Sequence, residues 1–189
     1  MMNVYFRVRC LLAAGVLAGA GSMAAAAVVW AEASFHQESS SRFTVEIPAH
    51  WTITRQEEDP AETTFRAEDG IGGRAAAACL FRAVDAAGLF AGRSAIEIEK
   101  TRDYAISPAG MKLGLPADER GLEWGETAIS GEPAGLVVTQ APDADVRRLS
   151  VMALTEKASY FVVCSTHAAA FDQRRGTFER IIGSFVILE

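Results

Sequence analysis

The chain has 189 residues, 24 acidic against 18 basic side chains, a net charge of −6 and an apolar fraction of 50%. An acidic chain whose basic residues do not cluster is repelled by phosphate. Arg147-Arg148 and Arg174-Arg175 are only isolated pairs, so nucleic acid and anionic membrane surfaces are excluded as expected partners.

Arg7 and Arg9 precede an uncharged run over residues 10–31 that is mostly Ala, Leu, Val and Gly. This is the pattern of an export signal, residues 1–31, with cleavage after Ala31 expected and cleavage after Ala33 as the alternative. The run exceeds the usual apolar stretch of roughly 7 to 15 residues, so an uncleaved anchor is the rival reading. Cys10 follows Val8-Arg9 rather than a lipobox, and Arg7 and Arg9 are not adjacent, which points to general secretion into the periplasm or medium. Without residues 1–33 the chain keeps 16 basic and 23 acidic residues, a net charge of −7. What is left suits one globular domain with one core, over residues 42–189.

Residues 32–41, ending in Ser39-Ser40-Ser41, read as a polar lead-in before order begins. Phe43, Val45 and Ile47 then fall on one side of a strand that Pro48 ends, and Trp51 with Ile53 resumes a short extended piece. Residues 63–67 form another strand. Asp69-Gly70-Ile71-Gly72-Gly73 reads as a hairpin turn rather than a phosphate cradle, because no Lys-Ser/Thr follows. Residues 75–84 make an apolar strand for the middle of a sheet. Ser94-Ala95-Ile96-Glu97 is a capping box that opens a helix running to Ile106. Pro108, Gly110, Gly114 and Pro116 break residues 107–121 into a long loop suited to a contact surface.

Two hairpins are predicted next, residues 122–129 with 134–140 and residues 146–155 with 159–166. An amphipathic helix over residues 174–183 closes the chain, with Phe178, Ile181 and Ile182 on one face and Phe171 packing just ahead of it. Strands outnumber helices and short turns join them, which predicts an α+β fold with a mainly antiparallel sheet covered by helices.

Candidate chemistry is sparse. Of the three cysteines Cys10 leaves with the export signal; Cys79 and Cys164 each sit in an apolar strand, and an even number in an oxidising compartment leads us to expect one disulfide, two buried free thiols being the alternative. Cys164 and His167 have the residue types of a nucleophile and base, yet a thiol inside an apolar strand is desolvated and inert. His36, His50 and His167 stand at no metal-ligand spacing. Glu57-Glu58-Asp59 and Asp143-Ala144-Asp145 carry oxygen ligands for a weak cation site and read better as solvated turns. Trp51 is assigned to the edge of a core, and Trp124, near glycines, to either core or surface. No catalytic, metal or cofactor site emerges.

The opening Phe-Thr-Val-Glu-Ile-Pro-Ala-His-Trp resembles one signature end of the PsbP/Mog1-like superfamily. Tyr160-Phe-Val-Val-Cys-Ser-Thr, Phe171 and Phe178-Glu-Arg-Ile-Ile-Gly-Ser-Phe185 resemble the other. The likeness spans essentially all of the chain beyond the export signal. It implies a central antiparallel sheet of about six strands between helices, an α/β/α sandwich. It also implies a non-enzymatic role, since named relatives act by binding: an extrinsic photosystem subunit, a Ran-binding factor and bacterial exported proteins and effector chaperones. For this chain the expectation is a monomeric exported binding or assembly module that engages an envelope or secreted protein through residues 107–121 and a sheet edge. The alternative is a hydrolase or redox enzyme of the cell envelope using Cys164 and His167.

Overall fold

The computed structural model describes residues 35–55, 62–70, 76–113, 115, 118–141 and 145–188. The export segment, Gly-rich residues 71–73, acidic residues 57–59 and the Asp143-Ala144 part of the second acidic stretch lie outside them, while Asp145 is described. In chain order the strands are β1 (Phe35–Ser39), β2 (Phe43–Pro48), β3 (Trp51–Arg55), β4 (Glu62–Asp69) and β5 (Ala77–Asp85). Helices α1 (Ala87–Phe90), α2 (Ala95–Ile106) and α3 (Pro108–Leu113) follow. Then come β6 (Arg120–Ile129), β7 (Glu132–Ala141), β8 (Val146–Leu154), β9 (Ala158–His167), α4 (Phe171–Gly183) and β10 (Val186–Ile187).

Alternation of side chains builds the main sheet. Along β9 every second residue from Ala158 to Thr166 is buried, and along β5 the same holds for Ala77, Cys79, Phe81 and Ala83. Seven strands pair antiparallel in the order β3-β4-β5-β9-β8-β7-β6. Ser130 and Gly131 join β6 to β7 with φ of 55° and 84°, the two positive values that match the twist of a tight hairpin.

The opening strand β2 pairs with β1 and β10 in a separate three-stranded sheet. Two expectations change. Phe35–Ser39, expected as lead-in, is the strand β1, held in register from Phe35 opposite Pro48 to Ser39 opposite Thr44. Ser40 Oγ closes the turn by accepting from the Phe43 amide at 2.9 Å. The segment 107–121, expected as a loop, contains α3, and its Met111 is buried.

One face of the seven-stranded sheet meets β2 and α4. Phe43, Val45 and Ile47 pack there with Phe81, Tyr160, Phe171, Phe178, Ile181 and Phe185. The helix α4 faces this core with Phe171, Arg174, Phe178, Ile181 and Ile182, an apolar stripe at 3.6-residue spacing broken only by the arginine. Its first residue is Phe171, three residues ahead of the predicted start.

The opposite face carries α2 and α3. Ser94 caps α2 as the sequence predicts: its hydroxyl accepts from the Glu97 amide at 3.4 Å, while the Glu97 carboxylate accepts from the Ser94 amide at 2.8 Å. No residue of α2 is fully buried, so its docking rests on partial contacts and on Arg102, which pairs with Glu132 of β7. Gly135 makes the approach close. A Cβ there would stand 2.3 Å from both the Ile106 carbonyl oxygen and Met111 Sδ. Gly135→Ala is therefore expected to push α2 and α3 off the sheet and to lower stability by about 1–3 kcal/mol. Hydrogen exchange should accelerate across residues 95–113 and leave β2 and α4 unchanged; uniform or absent acceleration would contradict this docking.

Candidate functional site

β6 is the last strand of its sheet and pairs only with β7 among the described residues. Beside it lies a cleft of about 670 Å³ whose α3 wall is Pro108, Ala109 and Lys112, and whose strand wall includes Arg120 and Trp124. The register of β6 shifts between Gly121 and Glu123, a bulge at the cleft itself. Gly121 is needed there because a Cβ would stand 2.5 Å from Trp124 Cζ2; the bare backbone lets the indole lie close against the strand.

The charges around the cleft fall into two groups. Glu119 has a side chain only 4% exposed, paired with the Arg148 guanidinium and accepting from the Thr139 hydroxyl at 2.7 Å. Glu123 accepts two 2.8 Å hydrogen bonds from Arg175 of α4, which hold its carboxyl below the ordinary glutamate pKa. These carboxylates are neutralised by arginines on neighbouring elements. Lys112, Asp118 and Arg120 are exposed and form no ion pair among the described residues, leaving the cleft with an excess cation. Leu113 of α3, 77% exposed, and Leu122 of β6, 44% exposed, stand on the two elements that border the cleft without lining it.

A larger hollow of about 830 Å³ opens on the uncovered part of the same sheet face, lined by Thr52, Arg66, Glu68, Ser165, Thr166 and His167 among others. Its charges satisfy one another. Arg66 pairs with Glu68 at 2.6 Å, and His167 Nε2 with Asp145 at 2.7 Å, while His167 Nδ1 accepts from the Ala169 amide. With both ring nitrogens occupied, His167 has none left to activate Ser165.

Cys164 is joined to Cys79, with Cα atoms 4.0 Å apart across the β5–β9 ladder. Its side chain points into the core while His167, an odd number of residues on along β9, faces the opposite side. The structure does not bring Cys164 and His167 together. His36 lies 3.0 Å from Glu38, and His50 lies 3.8 Å from Asp69. Among the described residues no three His, Cys, Asp or Glu gather to hold a metal. Asp69, buried at the end of β4, pairs with Arg174 of α4 at 2.6 Å and ties that helix to the sheet. Trp51 is 4% exposed, a core residue as expected, whereas Trp124 is half-buried in the cleft.

The arrangement of this sheet and its helices matches the solution structure of cyanobacterial PsbP (CyanoP) from Synechocystis, with a TM-score of 0.51 over 92% of this chain and 98% of that chain. The fold is PsbP-like. Sequence identity across the match is 10%, so the likeness is one of fold. A protein of unknown function from Pseudomonas aeruginosa, described as a putative regulator, matches with a TM-score of 0.42 at 15% identity over 77% of this chain and 91% of that chain. No family model matches the chain, and no curated protein matches it in sequence. A PsbP-like fold is compatible with a non-enzymatic module. No helix among the described residues is long and apolar enough to cross a membrane.

Proposed function

We propose that this protein is a non-enzymatic, exported binding or assembly module that engages another protein at the cleft between α3 and β6. The observation that carries the reading is the conjunction at that cleft of a strand edge without a neighbour among the described residues, a half-buried Trp124 and unpaired charges, with exposed Leu113 and Leu122 on the two elements that border it. Exposed apolar side chains beside an unpaired edge are a liability that a partner removes. The Cys79–Cys164 disulfide supports an oxidising compartment, in line with the export signal over residues 1–31.

Site-specific photo-crosslinking in the native cells tests it. A photoreactive residue at Leu113 or Leu122 should capture a discrete, saturable partner, and one at Gln37 on β1 should not. Capture from all three positions alike, or from none, would remove the cleft as the binding surface.

A further inference from the structure

The occupant of the cleft can be narrowed by its chemistry, an inference that rests on the binding-module reading. We propose that the cleft takes an extended segment of the partner, added as a further strand along the free edge of β6, with a carboxylate-bearing end against Lys112 and Arg120 and an apolar side chain on Trp124.

The backbone argument comes from the edge. Past the bulge, β6 runs on to Ile129 with β7 on one side only among the described residues, so alternate amide and carbonyl groups face outward. An extended chain satisfies such a row directly, and pockets for every second side chain then set specificity. The cleft lies on the same sheet face as Trp124, so an added strand would direct alternate side chains towards the indole and the Pro108–Ala109 wall.

The charge argument sets the orientation. On a protein that is acidic overall, Lys112 and Arg120 face the cleft unpaired, offset by Asp118 alone, because Glu119 and Glu123 are already neutralised by Arg148 and Arg175. Further along the strand Glu126 is exposed and forms no ion pair among the described residues. The acidic end of the incoming segment thus lies at the α3 side, and its remainder, neutral or basic, runs towards Ala128.

The test uses the full chain and two fluorescein-labelled ten-residue peptides of alternating valine and threonine, one with a pair of glutamates at its N-terminal end and one with the pair at its C-terminal end. One of the two should bind saturably by fluorescence anisotropy, more weakly as salt rises. The double variant Lys112→Glu with Arg120→Glu should lose about tenfold in affinity and gain preference for the peptide carrying lysines instead. Both positions are exposed, so an unchanged unfolding midpoint should accompany that loss. N-methylation of alternate amides should abolish binding in one phase and spare it in the other, the signature of strand addition. Failure of both peptides, equal binding of the lysine versions, or indifference to N-methylation in both phases would overturn the proposal. If Leu122 still captures a partner while both peptides fail, the binding-module reading survives and the assigned chemistry falls.

Discussion

Replacing Cys79 and Cys164 together with alanine is expected to lower the free energy of unfolding by about 4–5 kcal/mol. The bond joins positions 85 residues apart in sequence, so cutting it releases a long loop in the unfolded chain. On the chain-entropy account that release is the main loss. In the folded state the two residues are direct partners across β5 and β9, both 0% exposed, beside the Phe81–Val162 pair on the same core face. Alanine leaves the strand pairing intact and removes only two sulfur atoms from the core. Guanidinium unfolding of the oxidised protein, the reduced protein and the double variant should therefore place the last two together, well below the first. A difference under about 1 kcal/mol between oxidised protein and double variant would show that the unfolded chain gains little freedom when the loop opens. Reductant without denaturant should leave the bond intact, since neither sulfur is reachable from solvent.

Phe43→Ala is expected to cost about 3–5 kcal/mol, the range for deleting a fully buried aromatic ring. Phe43 is 0% exposed; its ring stacks on Phe185 at 4.7 Å, meets Phe65 edge-on at 5.2 Å and lies 6.4 Å from Phe81. Its ring joins three units: the small sheet, the central sheet and Phe185 just beyond the end of α4. The neighbouring exposed side chain supplies the control. Glu46 projects from the other side of β2, and Glu46→Ala should change stability by no more than about 0.5 kcal/mol. Urea unfolding with a folding check on β1 and β10 by hydrogen exchange would decide. Equal costs for the two substitutions would mean that the alternation along this strand does not set its burial.

Much of the local structure is legible in the residues. Ser94 with Glu97 marks the start of α2, and the two positive-φ residues Ser130 and Gly131 occupy a predicted hairpin turn. The inward residues Phe43, Val45 and Ile47 are those that a period of two selects. The misses have physical causes. Phe35–Ser39 is polar and only half-buried, and it becomes a strand by pairing with β2 rather than by its own pattern. Val186–Ile187 is too short to show a period at all. Pro108 reads as a breaker, yet proline is well placed at the first position of a helix, where its missing amide has no partner to lose, and there α3 begins. Gly110, read as another break, lies within that helix because a Cβ would stand 2.1 Å from the Tyr104 carbonyl oxygen. The candidate cleft was half visible: residues 107–121 and a sheet edge are what line it, but the role of Trp124 and the neutralising partners Arg148 and Arg175 were not.

What the amino-acid order determined by itself is which face of each segment is apolar, where its caps and turns fall, and that two cysteines stand in strands. These are consequences of side-chain spacing over a few residues, and spacing is local. Which segment covers which face was decided by the tertiary structure. It set Cys79 opposite Cys164, paired β2 with β1 and β10 in a sheet of their own, and gathered Lys112, Arg120 and Trp124 at an edge whose nearby carboxylates are held by Arg148 and Arg175. Pairing of that kind is fixed by burying apolar area shared among residues distant in sequence, a quantity that no single segment carries.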